Sequence, residues 1–201
     1  MQIINCEQGS VDWHTARCGV ITASCFSDIL TKGRGGEPSK TRQTYMFKLA
    51  GERIRGVATD SFSNSYIERG HEYEDEARQL YELQTGYEVA ACGFIKSEYG
   101  GYSPDGIVGD DGIIEIKTKS AHLQIEILLA GKVPAIHTAQ IQGGLLVSGR
   151  NWCDFISYCP GLPIFIERVL PDAEYIKNLK LELAIFENEL QEITQEILSK
   201  F

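Results

Sequence analysis

The stretch SPDGIVGDDGIIEIKTK, Ser103 to Lys119, sets acids and lysines inside what otherwise reads as an apolar hairpin. Ile107-Val108 and Ile113 to Lys117 are strand-like runs flanking a GDDG turn, Gly109 to Gly112, and Asp-Gly supplies the backbone freedom of a tight reversal. Alternate side chains of a strand share a face, so Glu115 and Lys117 project together while Ile114, Ile116 and Thr118 project the other way. Antiparallel pairing carries Asp105 next to Glu115. Two carboxylates and an ammonium then meet in one small volume.

Carboxylates held that close repel one another and lose hydration, which raises at least one pKa unless a cation occupies the site. Magnesium suits it, because it takes carboxylate oxygens, keeps several waters and bridges to phosphate. The backbone carbonyl of Ile116 is a further candidate oxygen ligand. Lys117 is not a ligand; beside such a site it orients or deprotonates a water and offsets charge on phosphoryl oxygens. The same residues also read as an edge strand with surface charges and a Pro-Asp-Gly turn, and the residues by themselves leave both readings open.

Upstream, Tyr73, Ala77, Leu80, Tyr81 and Gln84 recur at helical spacing and Gly86 is a natural stop. Glu74 lies beside that stripe, whereas Glu72, Asp75 and Glu76 point elsewhere, so Glu74 is the acid best placed to reach inward. Helices are also expected from about Arg42 to Arg53, over His122 to Leu129 and over Pro134 to Leu146, with a short one capped by Thr22 or Ser24 running to Leu30. Tyr87 to Lys96, WCDFISYC and PIFIERVL read as strands, the last two separated by a Pro160-Gly161 turn. The glycine-rich KGRGGEPSK, Lys32 to Lys40, reads as a surface loop or a substrate-contacting one. Ile176, Leu179, Leu183, Phe186, Leu190, Ile193 and Ile197 alternate by three and four in a long helix at about 172–199, which suits either packing within the subunit or an interface.

The chain's 201 residues suit one domain with a substantial core. No apolar run approaches the roughly 18 residues of a membrane span, and MQIINCEQGS has neither the basic head nor the apolar core of a signal segment. A cytoplasmic protein is the expectation, with no membrane partner. The six cysteines are scattered without a CxxC pair, which argues against zinc and for free thiols. With 28 acids against 19 bases, the net charge of -9 argues against indiscriminate wrapping of nucleic acid, though not against focused contacts to phosphate.

PDG followed by EIK resembles the PD-(D/E)xK nuclease superfamily. In order, WHTARCGVITAS (Trp13 to Ser24), RGHEYEDEARQLYE (Arg69 to Glu82), SPDG (Ser103 to Gly106), EIKTK (Glu115 to Lys119) and AQIQ (Ala139 to Gln142) resemble the blocks of the phage lambda exonuclease-type (YqaJ-like) viral recombinase family. The resemblance runs from about residue 11 to 170. It implies an α/β fold with a restriction-endonuclease-like core, a central mixed β-sheet flanked by helices, over a single nuclease domain spanning residues 1–201.

The resemblance also implies roles. Asp105, Glu115 and Glu74 match metal-binding acids, Lys117 the catalytic lysine and Gln140 a glutamine near the catalytic centre. Arg17 resembles an arginine that receives the 5′-phosphate of a DNA end, with Ser24 and Ser103 assisting. Taken alone, Gln140 reads as a helix-face residue, Arg17 as a surface cation, and Trp13 as either core or a base-stacking ring. The implied activity is Mg²⁺-dependent 5′-to-3′ degradation of one strand of linear double-stranded DNA to 5′-mononucleotides, with one or two ions per subunit and Mn²⁺ substituting. The implied partners are a homotrimeric ring and a single-strand annealing recombinase, in a phage or prophage setting in a bacterial host. A structure-specific endonuclease with the same chemistry, or an inactive DNA-end binding module, are the alternative readings.

Overall fold

The computed structural model of the chain describes residues 1–59 and 65–200, with the side chains of all of these except residues 34 and 65–72. In chain order its elements are β1 (Gln2–Ile4), α1 (Val11–Arg17), α2 (Phe26–Leu30), α3 (Lys40–Arg55), α4 (Ser65–Thr85), β2 (Val89–Ala90), β3 (Phe94–Ser97), β4 (Gly100–Tyr102), β5 (Gly106–Val108), β6 (Gly112–Thr118), α5 (Ala121–Ala130), α6 (Thr138–Ser148), β7 (Trp152–Tyr158), β8 (Phe165–Val169) and α7 (Ala173–Lys200). The first four residues of the Arg69–Glu82 block have side chains outside the described set.

A five-stranded mixed sheet runs β2-β5-β6-β7-β8. β6 is its centre, antiparallel to β5 and parallel to β7, with Glu115 opposite Phe155 and Lys117 opposite Ser157. The GIIEI portion of β6 is buried along its length, as expected of a strand covered on both faces. On one face Ile114, Ile116, Ile156 and Tyr158 pack against Ala77 and Tyr81 of α4. On the other, Ile113, Cys153 and Phe155 join the larger core built with α2, α3, α6 and α7. The period-two alternation of β6 therefore sends Glu115 into the side that faces α6.

A second sheet, β1-β3-β4, is antiparallel throughout. The expected single strand from Tyr87 to Lys96 is in fact two, β2 and β3, which belong to different sheets. The switch falls at Gly93, where a Cβ would lie 2.4 Å from the Cys6 carbonyl oxygen, so the chain crosses too tightly for a side chain. Neither Thr22 nor Ser24 caps α2. A 3-10 turn, Ala23–Cys25, precedes that helix, and the two hydroxyls sit 3.3 Å from each other instead. The helix expected from Pro134 likewise opens as a 3-10 turn, Ala135–His137, before α6.

α6 lies against β3, β4 and β7 at once. Two adjacent glycines make this possible: a Cβ on Gly143 would come within 2.3 Å of the Phe26 ring, and one on Gly144 within 2.8 Å of the Tyr102 ring. α7 buries Leu179, Leu183, Phe186 and Leu190 against α2, α3 and α6. The middle of its seam thus packs within the subunit, on helices and not across the sheet, while Ile197 near its end is exposed. Phe186 stacks on Tyr45 at 5.8 Å, and the Arg42 guanidinium, paired with Glu189 at 2.6 Å, covers that ring. Among the described residues the thiols are free, Cys92, Cys153 and Cys159 buried and Cys6, Cys18 and Cys25 half-buried. No helix among them is long and apolar enough to cross a membrane.

Candidate active site

The β5–β6 hairpin brings the acids together. Gly106 pairs with Ile114, and the Asp105 N–H donates to the Ile114 carbonyl at 3.2 Å, so Asp105 stands at the register position of Glu115. Its carboxylate accepts the Ile116 N–H at 2.5 Å, which fastens the Pro-Asp-Gly turn to the middle of β6. Close packing and the neighbouring Glu115 push the Asp105 carboxyl well above the usual carboxylate range; Lys117 counters this, and Glu74 adds to it.

Glu115 is 1% exposed and still fully engaged. One carboxylate oxygen accepts from the Lys117 ammonium at 2.6 Å and from the Gln140 amide at 2.5 Å, and the other accepts from the Tyr102 hydroxyl at 2.7 Å. A buried carboxylate survives on such charge-assisted bonds. Burial acts to lower the Lys117 pKa, but Glu115 and Asp105, with a contribution from Glu74, hold it above its ordinary value. β6 supplies Glu115 and Lys117, β4 ends on Tyr102, and α6 delivers Gln140.

Glu74, on α4, is half-buried and lines a cleft with Asp105, Asp75, Arg78, Gln8 and Cys92. Arg78 fixes that side of the site: it donates to the Asp105 carbonyl at 2.9 Å and to Asp75 at 3.1 Å, while its buried Nε has no hydrogen-bond partner among the described residues. Gln8 does the same from the other side, its amide donating to the carbonyls of Cys92 and Pro104, both at 2.8 Å.

Arg17 ends α1, beside but distinct from the acids. Its guanidinium lies 4.1 Å over the Trp13 ring and 5.6 Å from that of Phe94. Ser103 Oγ accepts from the Trp13 indole at 2.8 Å and from Arg17 at 3.4 Å. Burial lowers the Arg17 pKa, yet a guanidinium keeps its charge. It faces a pocket of about 160 Å³ shared with Trp13, Ser24, Ser103, Gln140 and Gln8. Trp13 therefore serves as the shelf under Arg17.

Sequence reasoning thus selected Asp105, Glu115, Lys117 and Gln140, which meet in one cluster, Glu74 at its edge, and Arg17, Ser24 and Ser103 in the adjoining pocket. It missed Tyr102, Arg78 and Gln8. Tyr102 directly precedes SPDG and Arg78 lies in the YEDEAR run, but nothing in either spacing marks a hydrogen bond.

Among the described residues no three His, Cys, Asp or Glu side chains form a group that could hold a metal ion. The donor chemistry still fits a hard cation: burial first, and then the facing Glu115 and Glu74, raise the Asp105 carboxyl's pKa, and the crowding of like charges is what a divalent ion relieves. The oxygens present are the type that Mg²⁺ prefers.

Residues 12–151 match the family described as the YqaJ-like viral recombinase domain. A crystal structure of LHK-Exo, an alkaline exonuclease from Laribacter hongkongensis, is similar at 35% identity and a TM-score of 0.86 over 95% of this chain and 97% of that one. The same enzyme in complex with dAMP gives the same values. A phage-related exonuclease from Haemophilus somnus, at 16% identity and a TM-score of 0.67 over 88% of this chain and 96% of that one, shares the fold. No curated protein matches. With its central mixed sheet, its helical flanks and the match over residues 12–151, the chain belongs to the YqaJ-like viral recombinase domain family.

Proposed function

We propose that this protein is a metal-dependent exonuclease that degrades one strand of linear double-stranded DNA, 5′ to 3′, releasing 5′-mononucleotides. Family membership and the likeness to an alkaline exonuclease support the nuclease class, and the dAMP complex of that relative is in keeping with a mononucleotide product. The observation that carries the reading is the fourfold arrangement at Glu115: Lys117, Gln140 and Tyr102 on its oxygens, and Asp105 across the hairpin.

Asp105, Glu115, Glu74 and the Ile116 carbonyl would hold one or two Mg²⁺ ions, with Mn²⁺ able to substitute. When bound, such an ion supplies Lewis acidity to the scissile phosphate and its departing oxygen. The Lys117 ammonium orients the attacking water and offsets charge on the phosphoryl oxygens. Gln140 keeps Glu115 turned toward that water. The Arg17 fork, seated on Trp13 and flanked by Ser103 and Ser24, receives the 5′-phosphate of the strand end. That places the bond to be cut one nucleotide inward, at Glu115.

The same reading takes a homotrimeric ring around the DNA as the working form, which reconciles a net charge of -9 with a track on a polyanion. Leu129 and Ile136, 83% and 75% exposed, are apolar surface suited to a subunit contact. A single-strand annealing recombinase that takes up the exposed strand completes the role in recombination.

Linear duplex labelled at either end, with 5′-phosphate or 5′-hydroxyl termini, is incubated with Mg²⁺ beside closed circular DNA. Release of mononucleotides from the 5′ end, none from circles and none with EDTA is the expected result. Cutting of circles would replace this reading with an endonuclease, and intact DNA binding without cleavage would replace it with a DNA-end binding module.

A further inference from the structure

The polar face of β6 does not stop at Lys117. Thr118 still pairs with Tyr158, and the Lys119 N–H donates to the Tyr158 carbonyl at 2.7 Å, so the extended backbone runs on. Glu115, Lys117 and Lys119 therefore form a row on one face. The ammonium of Lys119 lies 3.1 Å from Nε2 of His137, a residue 8% exposed whose ring stacks on Phe155 at 5.2 Å. His137 comes three residues before Gln140, so one end of α6 meets both Lys119 and Glu115.

Lys119 is held in an unusual way. Among the described residues it has no carboxylate partner, although the chain carries 28 acids against 19 bases. Burial and the neighbouring Lys117 both lower its pKa. Burial, then Lys119 and Lys117, lower that of His137 to about 4, so at neutral pH the ring is uncharged and accepts from the ammonium. Immobilising a lysine costs side-chain entropy, and a second cation beside Lys117 adds repulsion. A lysine serving only solvation would turn outward to water. An arriving anion relieves the repulsion and offsets the immobilisation with a charge-assisted contact.

The direction of the row identifies that anion. The pocket of Arg17 and Ser103 is also lined by Gln140, whose amide bonds Glu115; Lys117 shares that carboxylate, and Lys119 lies beyond it. This order repeats the order of phosphates on a strand entering by its 5′ end: terminal, scissile, next.

Resting on the exonuclease reading above, we infer that Lys119, steadied by His137, binds the backbone phosphate one nucleotide to the 3′ side of the scissile phosphate. That phosphate is the first internal linkage of the strand left behind after each cut, whose new 5′-terminal phosphate is the one just hydrolysed, and it is the one to be cut next. Lys119 is thus a binding contact that keeps the shortened strand in place between turnovers, and His137 is its positioning residue.

The test uses 5′-phosphorylated duplexes in which that single linkage is an uncharged methylphosphonate, with release of the first nucleotide measured at varied DNA concentration. In the wild-type protein the neutral linkage should raise KM roughly tenfold. Lys119→Gln should raise KM by a similar factor on the natural duplex and show no further loss on the neutral one, with Lys119→Arg restoring most of the affinity. In metal-free binding measurements Lys119→Gln should also lower the slope of log K against log salt by about one unit. A wild-type protein indifferent to the neutral linkage, or a Lys119→Gln variant as sensitive to it as the wild type, overturns the inference, and the second result also exposes a merely structural lysine. If the wild type releases no mononucleotide from the natural duplex, the exonuclease reading fails first and takes this contact with it.

Discussion

The Tyr102 hydroxyl donates to Glu115 at 2.7 Å from the end of a strand in the other sheet, tying the carboxylate of β6 to β4. A neutral donor on a buried carboxylate fixes its rotation without cancelling its charge. Tyr102→Phe should preserve the fold and slow cleavage by roughly ten- to a hundredfold, the range for a hydrogen bond to a charged group. Mn²⁺ titration should show weaker binding in the same variant. Gly144→Ala, whose new Cβ would press on the same ring, should give a milder version. Unaltered Mn²⁺ affinity in Tyr102→Phe would remove the tyrosine from the site.

Lys117→Ala should lower cleavage by roughly 10²–10⁴-fold, the range for losing a positioned proton-handling group. Glu115 keeps its bonds from Tyr102 and Gln140, so thermal unfolding and DNA binding should change little by comparison. Circular dichroism that reports an unfolded variant would instead assign the lysine to the core.

Arg17→Ala should weaken the preference for 5′-phosphorylated over 5′-hydroxyl ends. Its guanidinium touches Trp13, Phe94 and Ser103 and no acid of the cluster, so the rate on hydroxyl ends should be the less affected. Equal losses on the two termini would contradict the assignment.

His137 predicts a pH dependence of stability. Its pKa is lowered to about 4 in the folded protein from 6.5, so as pH falls the unfolded chain takes up the proton first. Its stabilising contribution is complete above about pH 6.5 and is lost as pH drops toward 4, at a cost of about 1–3 kcal/mol. The midpoint of thermal unfolding should fall across this window, and His137→Asn should flatten the fall. Parallel curves for the two proteins would rule the histidine out as the source.

The hairpin was legible because each cue was local: Asp-Gly for the reversal, alternation for the shared face of Glu115 and Lys117, and a proline-led turn for Asp105. The helix stripes were legible for the same reason; Tyr45, Met46 and Leu49 are buried on α3 as their spacing requires, and Gly86 ends α4 with a φ of +74°. What escaped depends on two elements meeting in space. Tyr102 reads as one more aromatic until β4 is laid beside β6. Gln140 was marked only by the family resemblance; from its own spacing it reads as a helix-face amide until two glycines let α6 settle close to the sheets. The switch between sheets at Gly93 was hidden because its cause, the backbone of Cys6, lies 87 residues earlier, and Arg78 bonds a backbone carbonyl that no side-chain pattern reveals.

The two halves of the site rest on unequal foundations. Glu115 and Lys117 belong to the middle strand of the larger sheet, whose amides should be among the last to exchange with solvent. Arg17 is carried by α1, seven residues long with none buried, moored to the sheet side through Ser103. An opening confined to that helix would cost far less than global unfolding. Warmth or mild denaturant should therefore erase the protein's discrimination between strand termini while phosphodiester cleavage continues, so that fidelity fails before chemistry does.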